Sequence, residues 1–106
     1  MTVTPTELAE RLRSTKPPHL LDVREENEHA SCALPGSRLL PLSELADRAE
    51  ELSAWRDEEV VVYCHHGVRS AHAIGYLRQL GFQQLLNLSG GIDRWSLEVD
   101  PSVPRY

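Results

Sequence analysis

Short apolar runs along the chain alternate with longer segments in which apolar residues recur every three or four positions. Apolar runs bounded by turn-forming or charged residues are typical of β-strands. The clearest run is residues 60–63, four apolar residues of which three are β-branched, and it indicates a central parallel strand covered on both faces. The pattern predicts five strands, at residues 2–3, 19–23, 37–40, 60–63 and 85–88.

The segments between the predicted strands carry helix signals. Thr4, Pro5 and Glu7 indicate the start of a first helix, because they place a cap, a proline at the first helical position and a capping-box glutamate in the right order. Residues 16–18, Lys-Pro-Pro, end this helix. Residues 24–31 are polar and predict a solvated turn or short helix, whose acids we assign to the surface.

Three further helices follow from the same reasoning. Ser43 is a candidate N-cap for a helix that ends near Trp55, and Gly90-Gly91 opens a final short helix. A longer helix begins at Ser70 and is stopped by Gly81. Its predicted buried face comprises Ala71, Ala73, Ile74, Leu77 and Leu80. Strands that alternate with helices predict an α/β fold, with an open, mostly parallel five-stranded sheet and helices on both faces.

The composition is that of one soluble globular domain. With 106 residues, 41% apolar and 25% charged, we expect one domain over residues 1–106 with an irregular tail at residues 100–106. Eleven basic and 16 acidic residues give a net charge of −5, which argues against nucleic acid as a partner. No apolar run approaches a membrane span and no signal peptide is visible, so we expect a cytoplasmic protein without membrane contact.

Cys64 occupies a position that favours reactivity. It follows the strand at residues 60–63 and precedes a helix, so it lies at the carboxyl end of a parallel strand, where open α/β sheets bind ligands. The thiolate is the nucleophilic form of cysteine. Inward-facing N–H groups, the dipole of the following helix and the permanent charge of Arg69 would all lower the pKa of this thiol.

The remaining loop residues have weaker individual signals. His65, His66 and His72 would add positive charge if protonated, but paired loop histidines are more often solvated than catalytic. Gly67 would allow a tight turn with a positive φ, and Val68 would only pack. The alternative is that Cys64 is an ordinary buried cysteine. That alternative leaves the glycine, the arginine and the two histidines of one loop unexplained.

Four motifs in order resemble those of the rhodanese family, the single-domain sulfurtransferases. The active-site loop of that family is similar to CHHGVR at residues 64–69, and its first signature strand is similar to LLDVR at residues 20–24. Its Ile-Pro-Gly-Ala turn resembles LPGS at residues 34–37, and its closing Gly-Gly-x-x-x-Trp resembles GGIDRW at residues 90–95. The resemblance covers nearly the whole chain.

The resemblance implies a two-step sulfur transfer with no cofactor and no metal. Cys64 would take a sulfane sulfur from thiosulfate or a persulfide donor, and a thiol, cyanide or a sulfur-carrier protein would remove it. Arg69 would hold the oxyanion part of the donor. Asp22 and Arg24 would support the site, the aspartate by pairing with loop N–H groups or an arginine. The loop implied to bind the persulfide comprises His65, His66, Gly67, Val68, Arg69 and Ser70.

Three other functions compete with sulfur transfer. Cysteine-dependent phosphatases and arsenate reductases place five residues between cysteine and arginine, whereas this loop has four, which favours one sulfur atom over a phosphate. A non-enzymatic binding module would not need Cys64 and Arg69. Metal binding by Cys64, His65 and His66 is disfavoured because adjacent ligands on a tight loop do not surround a tetrahedral ion.

Two departures from the family pattern bear on the partner. Many rhodaneses have Gly-His where this chain has Cys32 and Ala33. Cys32 here and the ending at residues 99–106 resemble rhodanese domains attached to adenylyltransferases that pass sulfur to carrier proteins. This implies a freestanding sulfur-relay partner as an alternative function. Cys32 itself is best interpreted as a packed residue, although a resolving thiol and an exposed bystander stay open.

Overall fold

The computed structural model describes residues 1–106 and contains one five-stranded sheet with the order β1-β5-β4-β2-β3. All four strand pairings are parallel, so the predicted open α/β sheet is confirmed and contains no antiparallel strand. The strands are β1 (Thr2–Val3), β2 (His19–Asp22), β3 (Arg38–Leu39), β4 (Glu59–Tyr63) and β5 (Gln84–Leu88).

Five α-helices and two 3₁₀ segments connect the strands. The α-helices are α1 (Pro5–Leu12), α2 (Glu26–Ser31), α3 (Leu45–Arg48), α4 (Val68–Gln79) and α5 (Gly91–Glu98). The 3₁₀ segments are Leu42–Glu44 and Ala49–Trp55, on either side of α3. No helix combines the length and the apolar character that a membrane crossing needs. Residues 100–106 form no helix or strand.

The central strand β4 divides the core into two layers because its side chains alternate between the two faces of the sheet. Val60 and Val62 join a cluster of 14 buried residues that includes Leu77 of α4. Val61 and Tyr63 join a second cluster of 10 buried residues that includes Leu8 of α1 and Trp95 of α5. Helices therefore cover both faces of the sheet, and the packing of β4 side chains on both faces holds the end of this strand in place.

Two helix predictions need correction. The first helix begins with the predicted capping box at Thr4, but it ends at Leu12 rather than at residues 16–18. Helix α4 begins at Val68 instead of Ser70, because Gly67 adopts φ 119° and serves as its N-cap. Ala73, Ile74 and Leu77 are buried as predicted, and Ser70 joins them in the core, whereas Ala71 is exposed and Leu80 is 37% exposed.

The predicted N-cap at Ser43 is also wrong. Pro41 precedes the 3₁₀ turn Leu42–Glu44, and Ser43 lies inside that turn with its hydroxyl directed at a carboxylate oxygen of Glu25, 3.5 Å away. The single helix predicted after Ser43 is divided into α3 and the two flanking 3₁₀ segments. Short 3₁₀ segments of this kind are common connectors between regular elements.

Candidate active site

Cys64 lies directly after β4, with its side chain surrounded by hydrogen-bond donors. The residue is only 2% exposed. The backbone N–H of Gly67 donates to Sγ at 3.0 Å, and the N–H of Ser70 lies 3.5 Å from the same atom. The Ser70 hydroxyl is a further partner at 3.4 Å. The loop therefore points its backbone donors inward at one sulfur atom, as its position before a helix N-terminus led us to expect.

These contacts determine the protonation of the thiol. Burial raises the pKa of Cys64, because a charged sulfur is poorly solvated inside the protein. The hydrogen bonds from the Ser70 hydroxyl and from the N–H groups of Ser70, Gly67 and His66 favour the thiolate and outweigh burial. The pKa of Cys64 therefore lies below its ordinary value. A cysteine with a lowered pKa has more of its nucleophilic form at neutral pH.

Asn87 on β5 is a site residue that sequence reasoning missed. Its side-chain oxygen accepts a hydrogen bond from the Ser70 hydroxyl at 2.6 Å, and its side-chain nitrogen donates to the carbonyl of Gly67 at 3.1 Å. Asn87 pairs with Val62 across the sheet, so its neighbouring strand brings it beside the loop after β4. The available signal was a lone polar side chain between Leu86 and Leu88 in an apolar strand.

The Gly90-Gly91 turn fixes the other side of the loop. The first turn of α5 donates to two loop carbonyls, from Ile92 N–H to Cys64 at 2.9 Å and from Asp93 N–H to His65 at 3.2 Å. Gly91 has φ 63°, and a Cβ there would lie 2.5 Å from the Cys64 carbonyl oxygen. Only glycine fits this approach. The loop carbonyls thus face α5 while the loop N–H groups face the sulfur.

The guanidinium of Arg69 is occupied by a carboxylate. Its two terminal nitrogens donate to the two oxygens of Glu28, at 2.7 and 2.9 Å. The hydrogen bonds from Arg69 hold the pKa of Glu28 well below its usual range, and Glu28 raises the pKa of Arg69. Glu28 was among the acids assigned to the surface, and that assignment is wrong: its side chain is only 15% exposed.

Asp22 and Arg24 form a buried pair behind the loop. The guanidinium donates to both carboxylate oxygens, at 2.9 and 2.7 Å, and both side chains are fully buried. His29 lies 2.8 Å from the same carboxylate, and the Tyr63 hydroxyl donates to it at 3.2 Å. Asp22 therefore pairs with an arginine, the second of the two partners considered from sequence, and the pair joins the ends of β2 and β4.

The three histidines near the loop differ in their surroundings. His65 stacks on Tyr106 with ring centroids 4.0 Å apart, and His66 lies 3.9 Å from His65. Burial and the charge of His66 lower the pKa of His65, so His65 carries less positive charge at neutral pH than an ordinary histidine. His72 is exposed on α4. Val68 is also largely exposed, at 68%, and does not pack in the core.

Comparison with known proteins assigns the chain to a family. The model of the rhodanese-like domain matches residues 4–98, which is most of the chain. The chain belongs to the rhodanese family. The rhodanese motifs at residues 20–24, 34–37, 64–69 and 90–95 all lie within the matched range.

Relatives of this rhodanese include both single-domain and longer proteins. A sulfurtransferase from Allochromatium vinosum is 38% identical over 96 residues, which cover 91% of this chain and 88% of that protein. The probable adenylyltransferase/sulfurtransferase MoeZ of Mycobacterium tuberculosis is 36% identical over 106 residues, or 99% of this chain. The chain spans 27% of MoeZ and 25 to 30% of several other long relatives.

The fold of this rhodanese is also that of solved relatives. A rhodanese-like domain protein from Staphylococcus aureus superposes with a TM-score of 0.82 and 30% identity, covering 100% of this chain and 99% of that chain. This likeness agrees with the rhodanese family assignment, and the relative of similar length from Allochromatium vinosum is itself named a sulfurtransferase.

The C-terminal residues of this rhodanese lie against the site. The Tyr106 hydroxyl donates to Glu28 at 2.7 Å and accepts from Arg24 at 3.0 Å. Arg105 pairs with Asp93 at 2.8 Å. The Ser96 hydroxyl donates to the carbonyl of Val103 at 2.6 Å and anchors the start of this segment. Sequence patterns gave no sign of these contacts.

Cys32 and the histidines do not form a metal centre. Cys32 is half-buried and packs against the second core cluster, with its sulfur 3.5 Å from the carbonyl oxygen of Pro104. This agrees with its interpretation as a packed residue. No group of three or more His, Cys, Asp or Glu side chains is placed to hold an ion.

Proposed function

We propose that this rhodanese moves a sulfane sulfur from thiosulfate or a persulfide donor to a thiophilic acceptor through a persulfide on Cys64. The observation that carries the proposal is the arrangement of donors around Sγ, with the Gly67 N–H at 3.0 Å and the Ser70 N–H at 3.5 Å. Fixed donors that face a developing negative charge stabilise it without reorganisation. The same donors serve a thiolate before the transfer and a persulfide anion after it.

The transfer needs no oxidant, because the sulfane sulfur exchanges one S–S bond for another and no electrons are gained or lost overall. With thiosulfate, the Cys64 thiolate attacks the outer sulfur, a Cys64–S bond forms, the S–S bond of the donor breaks, and sulfite leaves with the electron pair. The product is the Cys64 persulfide anion. In the second step an acceptor thiolate or cyanide attacks the terminal sulfur, and Cys64 leaves as the thiolate.

The loop residues bind the sulfur, and the buried pair behind them supports the loop. In the proposal the binding loop comprises His65, His66, Gly67, Val68, Arg69 and Ser70. Asp22 and Arg24 act indirectly, since their fully buried ion pair joins strand β2 to Cys32 and Tyr106 beside the site. No cofactor takes part in either step.

A sulfur-carrier protein is the physiological acceptor that we favour over a small thiol. The likeness to MoeZ, named as an adenylyltransferase and sulfurtransferase, extends over 99% of this chain. This supports a relay function in which the persulfide on Cys64 is delivered to another protein. The free thiols of Cys32 and Cys64 fit a reducing compartment such as the cytoplasm.

The test is the intact mass of the protein after incubation with thiosulfate or a small persulfide. We expect a gain of one sulfur atom that cyanide removes. Cys64→Ser should not gain this sulfur, whereas Cys32→Ser, the matched control at the other cysteine, should gain it as the wild type does. If neither donor loads the wild type, or if Cys64→Ser still loads, the proposed function is refuted.

A further inference from the structure

The charges around Cys64 are balanced in pairs. Each arginine near the loop has its own carboxylate at hydrogen-bond distance. The pairs are Arg69 with Glu28 at 2.7 Å, Arg105 with Asp93 at 2.8 Å and Arg24 with Asp22 at 2.7 Å. The chain has a single lysine, at position 16, before strand β2 and at the opposite end of the sheet. No arginine or lysine beside the loop is therefore left unpaired to receive a doubly charged anion.

Glu28 is firmly held in the fork of Arg69. Its Oε1 accepts from Arg69 and from the backbone N–H of Glu25, at 2.7 and 3.0 Å. Its Oε2 accepts from Arg69 and from the Tyr106 hydroxyl, at 2.9 and 2.7 Å. Four hydrogen bonds on a side chain that is 15% exposed make its displacement by a substrate oxyanion costly. The carboxylate thus fills the position where the oxyanion of a donor would bind.

We propose that Glu28 is a specificity-determining residue, which makes this site favour persulfide donors of low charge over thiosulfate. The inference rests on the proposed function and names its donor class. Thiosulfate carries two negative charges, and Glu28 both repels them and blocks the donors of Arg69. A persulfide with an uncharged tail carries at most one negative charge, on the sulfur. The inward N–H groups of Gly67 and Ser70 are placed to bind that charge.

The transfer from such a persulfide balances without a co-reactant. The Cys64 thiolate attacks the terminal sulfur of R–S–S–H, a Cys64–S bond forms, and the S–S bond of the donor breaks. The thiolate R–S⁻ leaves with the electron pair. The proton stays on the transferred sulfur until the Cys64 persulfide ionises within the loop. The leaving group bears one charge instead of the two of sulfite, so it needs no arginine to receive it.

The experiment compares two donors on the full chain, with cyanide as the acceptor. The donors are thiosulfate and 2-hydroxyethyl persulfide, and the measured quantity is kcat/KM for each. Glu28→Gln keeps the shape of the side chain and an oxygen for the Glu25 N–H, but removes the charge. Glu26→Gln is the matched control, because it removes one carboxylate from the same helix, where Glu26 is exposed and has no hydrogen-bonded partner.

In the wild type we expect a higher kcat/KM for the persulfide than for thiosulfate. Glu28→Gln should raise kcat/KM for thiosulfate about tenfold and change that for the persulfide less than about twofold, since one charge removed close to a dianion is worth a few kcal/mol at most. Glu26→Gln should change neither. The gain in Glu28→Gln should disappear when Arg69→Gln is added, because the freed guanidinium is its source.

Each contrary result overturns a defined part of the reasoning. An equal change for both donors, or no change in Glu28→Gln, refutes the assignment of Glu28 while sulfur transfer itself stands. A gain that survives Arg69→Gln also refutes it. If neither donor loads Cys64 in the wild type, the proposed function fails instead. Should Glu28→Gln fold poorly, the wild type alone provides the test, and a kcat/KM for thiosulfate equal to or above that for the persulfide would contradict the proposal.

Discussion

Ser70→Ala is the change that tests most directly how the protein activates Cys64. The Ser70 hydroxyl lies 3.4 Å from Sγ and inside the core, where water does not replace it. Alanine keeps the backbone N–H of residue 70 and the helix that carries it. Burial then continues to raise the pKa of Cys64 while one of the opposing hydrogen bonds is gone. The pKa of Cys64 should therefore rise.

The size of the rise follows from the geometry of the hydroxyl. A hydrogen bond to a charged group contributes about 1.5–3 kcal/mol. This contact is long, and the single proton of the hydroxyl is directed at Asn87 Oδ1, 2.6 Å away, so that it must turn toward the thiolate to stabilise it, and the lower end applies. About 1.4 kcal/mol corresponds to a rise of roughly one pKa unit. At a pH below the pKa, the thiolate fraction and the alkylation rate should then fall about tenfold.

The assay is the rate of alkylation by iodoacetamide as a function of pH. The midpoint for Ser70→Ala should lie about one unit above that of the wild type. Ser96→Ala is the control, because its buried hydroxyl contacts the Val103 carbonyl and not Cys64. Its midpoint should not move. An unchanged or lower midpoint in Ser70→Ala would refute the reasoning. It would show that the Ser70 hydroxyl keeps donating its hydrogen bond to Asn87 when Cys64 is ionised.

Two further predictions concern stability. Gly91→Ala should lower the free energy of unfolding in urea by about 2 kcal/mol or more, because residue 91 has φ 63° and a Cβ there would lie 2.5 Å from the Cys64 carbonyl oxygen. Gly75→Ala in α4 is the control and should be neutral or stabilising, because a Cβ there meets nothing within 4 Å. An equal loss in both variants would contradict this account. Arg69 lowers the pKa of Glu28, so the negative charge of Glu28 stabilises the fold at pH values above 4.5, the ordinary pKa of a glutamate. This contribution is lost as the pH falls and Glu28 is protonated. The difference in unfolding free energy between the wild type and Glu28→Gln should shrink below about pH 4.5, and a constant difference would exclude the ion pair as its cause.

The parts of the fold that local pattern determines were predictable. The apolar runs located all five strands, and the capping box at Thr4 located the start of α1. Failures occurred where tertiary structure overrides local preference. Ser43 has the right residue type for an N-cap, yet Pro41 begins a 3₁₀ turn before it. The start of α4 was assigned two residues too late, because the loop reaches its positive φ at Gly67 and the helix begins directly after it.

The site was predictable only where its residues are contiguous. The loop from Cys64 to Ser70 carries its own pattern, so its position and its inward donors followed from sequence. Glu28 and Tyr106 join the site from elements that lie far away in the sequence and share no local signal with the loop. The contact between Arg69 and Glu28 joins residues 41 positions apart, and that between Tyr106 and Glu28 joins residues 78 positions apart. A polar residue in a polar segment gives no sign of a partner that only the folded sheet brings near.

The contacts of α5 with the carbonyls of Cys64 and His65 couple the size of the loop to the docking of a helix. Lengthening the loop by one residue, to accept a tetrahedral oxyanion in place of one sulfur atom, would displace a loop carbonyl. That carbonyl now accepts from the N–H of Ile92 at 2.9 Å or of Asp93 at 3.2 Å. The insertion alone therefore leaves a buried donor unpaired. A longer loop can therefore change the chemistry of this fold only if the Gly90-Gly91 turn changes at the same time. Neither change is accessible as a single step in evolution or design.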